Sequence, residues 1–197
     1  MNASTHDWER SVDAAHIAQL RGDPVTYAPG GVLHLTLEIL AYVADEESRC
    51  IVTVHRDGSI RVADDGRGTE MRGDKRKPVM ATKDLRFFDS PDVQRLPDGY
   101  PRRGASTVTA LSTWLIHTSR RRDGAWTQRY EHGRPVTGLR PIPAIGRTGT
   151  TVHFLPDAGL VGEARLDLPV VVELARRAWP STLIIAGSHV DSQSRPA

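Results

Sequence analysis

The chain has one cysteine, Cys50, among its 197 residues. No internal disulfide can form, and a lone thiol fits a reducing cytoplasm. Long apolar runs are missing too. The best of them, "STLIIAG" at 181–187, is strand-sized and far short of the ~20 residues a membrane helix needs. The opening "MNASTHDWER" has two acids and no apolar stretch, so it is not expected to be a secretory leader. Neither sign of charge dominates: 26 Lys and Arg against 24 Asp and Glu leave +2, too little to argue for nucleic acid. The eight histidines never stand four apart as a pair, and no metal motif is present. What remains is ordinary globular composition, 39% hydrophobic and 25% charged, at a length suited to one domain.

Periodicity orders the elements. "VDAAHIAQL" (12–20) has helical spacing and is stopped by the Gly and Pro of "RGDP". In "VLHLTLEILAYVADEE" (32–47), Leu33, Leu37, Leu40 and Ala44 predict a helix with one buried stripe. Two alternating runs follow, joined at Asp57-Gly58, a dipeptide that favours the tight turn of a hairpin. Residues 69–103 lose all periodicity, and between Gly66 and Arg103 the chain has ten Arg or Lys (Arg67 included) against six acids. "STVTALSTW" (106–114) predicts a short helix, and Asp123-Gly124 the turn of a second hairpin. A Pro- and Gly-rich link leads to a strand at 150–155, a helix at 168–179 and a last strand at 181–187. Hairpins interspersed with helices predict an α/β (α+β) two-layer sandwich: a mixed, mostly antiparallel sheet covered on one face by helices. One domain is expected over 1–187, with 69–103 as an irregular lid-like segment and 188–197 as a disordered polar tail.

The sharpest local feature is "VADDGRGTE" (62–70), with two aspartates and two glycines in five positions after a strand. It can be a plain turn with Asp capping free amides. It lacks the third ligand a metal site would need.

The order of its neighbours carries more. A helix "HLTLEILAYVADE" precedes a hairpin ending in "DDGRG"; then come "TALS", "YEHG" and "TGTTVHF". This succession resembles the ATP-binding domain of the gyrase B subunit and other type IIA topoisomerases, a GHKL-type fold. The resemblance runs from about Tyr27 to Phe154, with a closing helix and strand through Gly187. It implies that Asp64 accepts a hydrogen bond from the adenine amino group, a role suited to an acceptor-only carboxylate. Gly66 and Gly68 would permit the turn and the approach of the base, and Thr150 would bond the same aspartate. Arg67 and Glu46 match a salt-bridged pair at the adenine edge, while Val62 and Val152 would line the slot for the ring. Glu38 matches the general base that polarises the attacking water.

The pattern also breaks. Where the family has an asparagine that holds Mg²⁺, four residues after the base, this chain has Tyr42, and Ala41 replaces a family carboxylate. A phenol is a poor octahedral ligand, so Mg²⁺ is in doubt. In "DGYPRRGASTVTALS" (98–112) the glycine-rich phosphate loop keeps Gly99 and Gly104, but Pro101 lacks a donor, and Arg102 and Arg103 replace small residues. Those arginines either block the amide cradle or supply the charge Mg²⁺ would have given. The resemblance therefore implies a cytoplasmic domain that binds ATP with weak or no hydrolysis. It leaves no room for the other domains a topoisomerase needs. The alternative is a nucleotide-free pseudoenzyme that binds a protein partner, with 69–103 as a contact surface. Acids interspersed among the basic residues argue against direct nucleic-acid binding.

Overall fold

The computed structural model describes residues 12–44, 48–69, 79–88, 91–163 and 165–189. Asp57 and Gly58 reverse the chain as their sequence predicts. Gly58 adopts φ 84°, and the Asp57 carboxylate accepts the Ser59 amide at 2.9 Å. The turn joins β1 (Arg49–His55) to β2 (Ile60–Asp64) in antiparallel register, with Val52 opposite Val62. β3 (Ser112–Arg121) and β4 (Gly124–Glu131) form the second hairpin at Asp123-Gly124. Two short pieces, β5 (Arg134–Pro135) and β6 (Arg140–Pro141), pair with β4. β7 (Gly149–Pro156) lies between β2 and β3, and β8 (Leu183–His189) runs parallel to β1.

The result, among the described residues, is one eight-stranded sheet in the order β5-β4-β3-β7-β2-β1-β8, with β6 off this path beside β4, antiparallel except at β1/β8. The expected architecture is present. β8 continues to His189, two residues past the expected boundary at Gly187; the tail from 190 onward lies outside the described residues.

Seven helices accompany it among the described residues: α1 (Ala14–Gly22), α2 (Pro24–Tyr27), α3 (Gly31–Val43), α4 (Leu85–Phe88), α5 (Ala105–Ala110), α6 (Ala158–Val161) and α7 (Leu168–Ala178), the last before β8. A 3-10 turn at Val79–Ala81 precedes α4. α7 starts on an Asp167 cap and buries Val171 and Ala175, leaving Glu173 and Arg177 outside as an i, i+4 pair.

α3 departs from expectation. Ten of its residues, from Val32 to Val43, are buried, His34, Thr36 and Glu38 among them. It is the central helix of its layer, packed on β2 and β7 and flanked by α5 and α7, which also touch the sheet. Each fully buried Leu of α3 (Leu35, Leu37, Leu40) contributes roughly 1.5–3 kcal/mol against Val52, Val62, Val152 and Phe154. A second correction concerns "STVTALSTW". The helix ends at Ala110, and Ser112 to Trp114 already belong to β3, where β-branched and aromatic side chains suit a pleated surface.

Candidate functional site

Asp64 closes β2 with its carboxylate spanned by two main-chain donors. Oδ1 accepts the Gly66 amide and Oδ2 the Thr150 amide, both at 2.8 Å. The side chain is thereby fixed in one orientation as an acceptor. Two glycines allow it. A Cβ on Gly149 (φ 134°) would stand 2.1 Å from the Asp64 carbonyl oxygen, so any other residue would push β7 away. Gly68 (φ 77°) likewise packs onto the Arg120 carbonyl, where a Cβ would come within 2.4 Å. Of the two turn glycines, Gly68 supplies the left-handed backbone, and Gly66 supplies an amide.

Beside this turn is a row of hydroxyls. The Thr69 Oγ1 lies 3.1 Å from Thr150 Oγ1 and 3.2 Å from the Tyr42 phenol oxygen. The phenol also lies 3.3 Å from His117 Nε2. Ser119 accepts the Thr69 amide at 2.9 Å. Burial pulls the His117 pKa down to about 3, so the ring is neutral at pH 7. Its neighbour Trp126, with ring centroids 4.8 Å apart, has a buried Nε1 donor with no hydrogen-bond partner among the described residues. Tyr42 thus reaches from α3 to the sheet, and Thr150 meets Asp64 through its amide.

Glu38 sits at the other end of this region, fully buried. Its Oε1 accepts the Arg103 amide and its Oε2 the Gly104 amide, the latter at 2.8 Å. One turn earlier His34 places Nε2 3.5 Å from Glu38 Oε1, while its Nδ1 lies 2.7 Å from Asp98 Oδ2. Burial pulls the His34 pKa down, but the hydrogen bonds and charges of Asp98 and Glu38 outweigh it and raise it to about 9. His34 is therefore an imidazolium between two carboxylates. The loop from Leu96 to Gly104 is stapled to α3 twice, through Asp98 and through its two final amides.

The two arginines of that loop turn into the protein. Arg102 donates to the Ala41 carbonyl and to Gln94, both at 3.0 Å, with its guanidinium 4.7 Å above the Phe87 ring. Arg103 donates to the Phe87 carbonyl at 2.9 Å and lies over Phe88 and Tyr27. Gly99 belongs to an exposed turn, its amide bonded to the Leu96 carbonyl. Val62 and Val152 face each other as core residues with no exposure. Arg67 is exposed in its turn, and Glu46 lies outside the described residues, as do positions 70–78 and 89–90 of the lid-like segment.

No family model matches the chain. Individual relatives do. The DNA gyrase B subunit of Thermotoga maritima is 32% identical over 203 aligned positions, which cover 92% of this chain and 31% of that protein. The chain is a homologue of type IIA topoisomerase B subunits. The DNA topoisomerase 4 B subunit of Bacillus subtilis is 32% identical over 82% of the chain and 26% of that protein. Its counterpart in Streptococcus pneumoniae is 37% identical over 65% and 22%. The homologue therefore spans less than a third of the length of these relatives. No described helix of it is long and apolar enough to cross a membrane.

The two ends of this region differ in what they offer a ligand. The oriented Asp64 acceptor, the close Gly149 approach and the orphaned Trp126 donor suit a flat heteroaromatic ring. Mg²⁺ does not fit. Among the described residues the Tyr42 oxygen is engaged with Thr69 and His117, and each oxygen of the fully buried Glu38 already accepts an amide. Of the residues outside the sequence reading, His34 was legible as the i−4 neighbour of Glu38. Asp98, Thr69, His117 and Trp126 gave no local signal.

Proposed function

We propose that the chain is an adenine-nucleotide-binding domain of the gyrase B type, hydrolytically impaired, with the phosphate loop folded onto its own general-base position. Asp64 would accept from the exocyclic amine of adenine while Gly66 and Thr150 hold it in place. The Trp126 indole could serve a ring nitrogen, since such nitrogens only accept. The observation that carries the impairment is the Glu38 carboxylate, which accepts the amides of Arg103 and Gly104. A general base needs a lone pair that water can reach, and a phosphate cradle needs free amides. Here Glu38 is fully buried with an amide on each oxygen, and those two amides are engaged by it. Arg102 and Arg103 act in this reading as anchors of the closed loop.

A nucleotide-free interaction module is the second reading. It is favoured by Tyr42, whose phenol bridges α3 to the Thr69–Thr150 hydroxyls beside Asp64. Phosphate release separates impaired from competent enzyme. Purified protein with ATP and Mg²⁺ should release no more phosphate than its Glu38→Ala variant. Turnover that requires both Mg²⁺ and Glu38 would overturn the impairment.

A further inference from the structure

All packing of helices onto the sheet among the described residues is on one face. The other face presents alternate residues of each strand. Across β1, β2, β7, β3 and β4 one row reads Thr53, Arg61, His153, Ile116 and Arg129, and the next Ile51, Ala63, Thr151, Thr118 and Thr127. Arg120 follows on β3. Of the carboxylates on these strands, only Glu131 points to this face, and it is bound to Arg129 at 3.0 Å.

Arg61 and Arg120 are half-buried, and neither has a hydrogen bond or ion pair with any described residue. The Arg120 Nε is buried and without an acceptor. Two such guanidiniums in one place are normally answered by carboxylates, because burial of an unpaired charge is costly. Here they stand two rows apart on this face, Arg61 on β2 and Arg120 on β3, with Ala63, Thr151 and Thr118 forming the row between them. The local field is positive enough to register on its neighbours. Burial and then the charge of Arg120 lower the Arg61 pKa; burial, His55 and Arg61 lower that of His153 against the opposing charge of Asp57. Next to this pair lie aromatic surfaces: Trp114 stands edge-on to His153 at 4.9 Å and carries the Arg129 guanidinium 5.4 Å from its ring.

We propose that this open sheet face binds a single strand of nucleic acid, with backbone phosphate between Arg61 and Arg120 and bases against the Trp114–His153 surface. Unpaired cations that need an oxyanion, set beside aromatic rings reachable by unstacked bases, are the two elements of single-strand recognition on a sheet. An acidic peptide would satisfy the arginines but leave the rings unused. The expectation that the chain avoids nucleic acid rested on its net charge of +2 and on acids interspersed among its basic residues, a balance that does not hold on this face. This site is also separate from Asp64 and independent of whether nucleotide binds there.

The test is fluorescence anisotropy with a labelled oligothymidylate, which carries no adenine for the Asp64 site. The wild-type chain should bind it, more weakly as salt rises. Arg61→Gln/Arg120→Gln should lose at least about tenfold in affinity and lower the salt slope by roughly 1.4, two phosphate contacts at about 0.7 each. Trp114→Leu should weaken binding with the slope unchanged. Thermal melting guards against misfolding: removing two unanswered like charges should leave the melting temperature equal or higher. Absent binding, an unchanged double variant, a lowered melting temperature, or displacement by polyglutamate as effective as by unlabelled oligonucleotide would each overturn the proposal.

Discussion

The amide of Gly104 donates to Oε2 of Glu38 across 2.8 Å, joining the start of α5 to the middle of α3. With the Arg103 amide on the other oxygen, this contact makes a candidate catalytic carboxylate into a structural acceptor. Glu38→Gln replaces one acceptor oxygen by a donor that faces an amide, and removes a charge beside the His34 imidazolium. It should cost about 2–3 kcal/mol of stability, as expected for a broken buried charge-assisted pair. Urea unfolding measures the loss. A solvated catalytic glutamate would instead be replaced at little cost.

His34 makes stability depend on pH in a defined direction. Its folded pKa of about 9 lies above the ordinary 6.5, so the folded state binds the extra proton. The contribution, roughly 3 kcal/mol from that difference, is complete below pH 6.5, falls between 6.5 and 9, and is gone above 9. Denaturant midpoints of the wild type should therefore fall across that window. His34→Gln should flatten the profile there.

How far the sequence revealed this site depends on the range of each contact. The β1–β2 turn and the second hairpin were legible because Asp57-Gly58 and Asp123-Gly124 act within a few residues. The Asp64 clamp was legible only through the order of motifs, since its Thr150 donor is 86 residues away. The burial of Glu38 was not. Its helix reads as one-sided in isolation, and the loop that covers it arrives 65 residues later. Asp98, which decides the charge of His34, had no signal at all. The early end of α5 reflects tertiary pairing of Trp114 with Leu155 and Glu131 overriding helical spacing.

Arg102 and Arg103 separate a closed loop from a charged phosphate site. Both are bound to carbonyls and rings of the protein. Replacing both with glycine should free the loop and raise ATP affinity, with a loss of stability from the lost contacts. If the arginines bind phosphate, the same variant should lose ATP affinity, by a few kcal/mol for two charge-assisted contacts. Calorimetric titration with ATP, paired with thermal melting, reads both effects.

The most direct test compares adenosine with ATP by calorimetry, each with and without Mg²⁺, on the wild type and on Asp64→Asn. With the adenine half built and the phosphate half closed, the two ligands should bind within a few-fold of each other and Mg²⁺ should not matter. Asp64→Asn should abolish both, since an amide there turns a donor toward a donor. ATP binding tenfold or more tighter than adenosine, and only with Mg²⁺, would contradict the account.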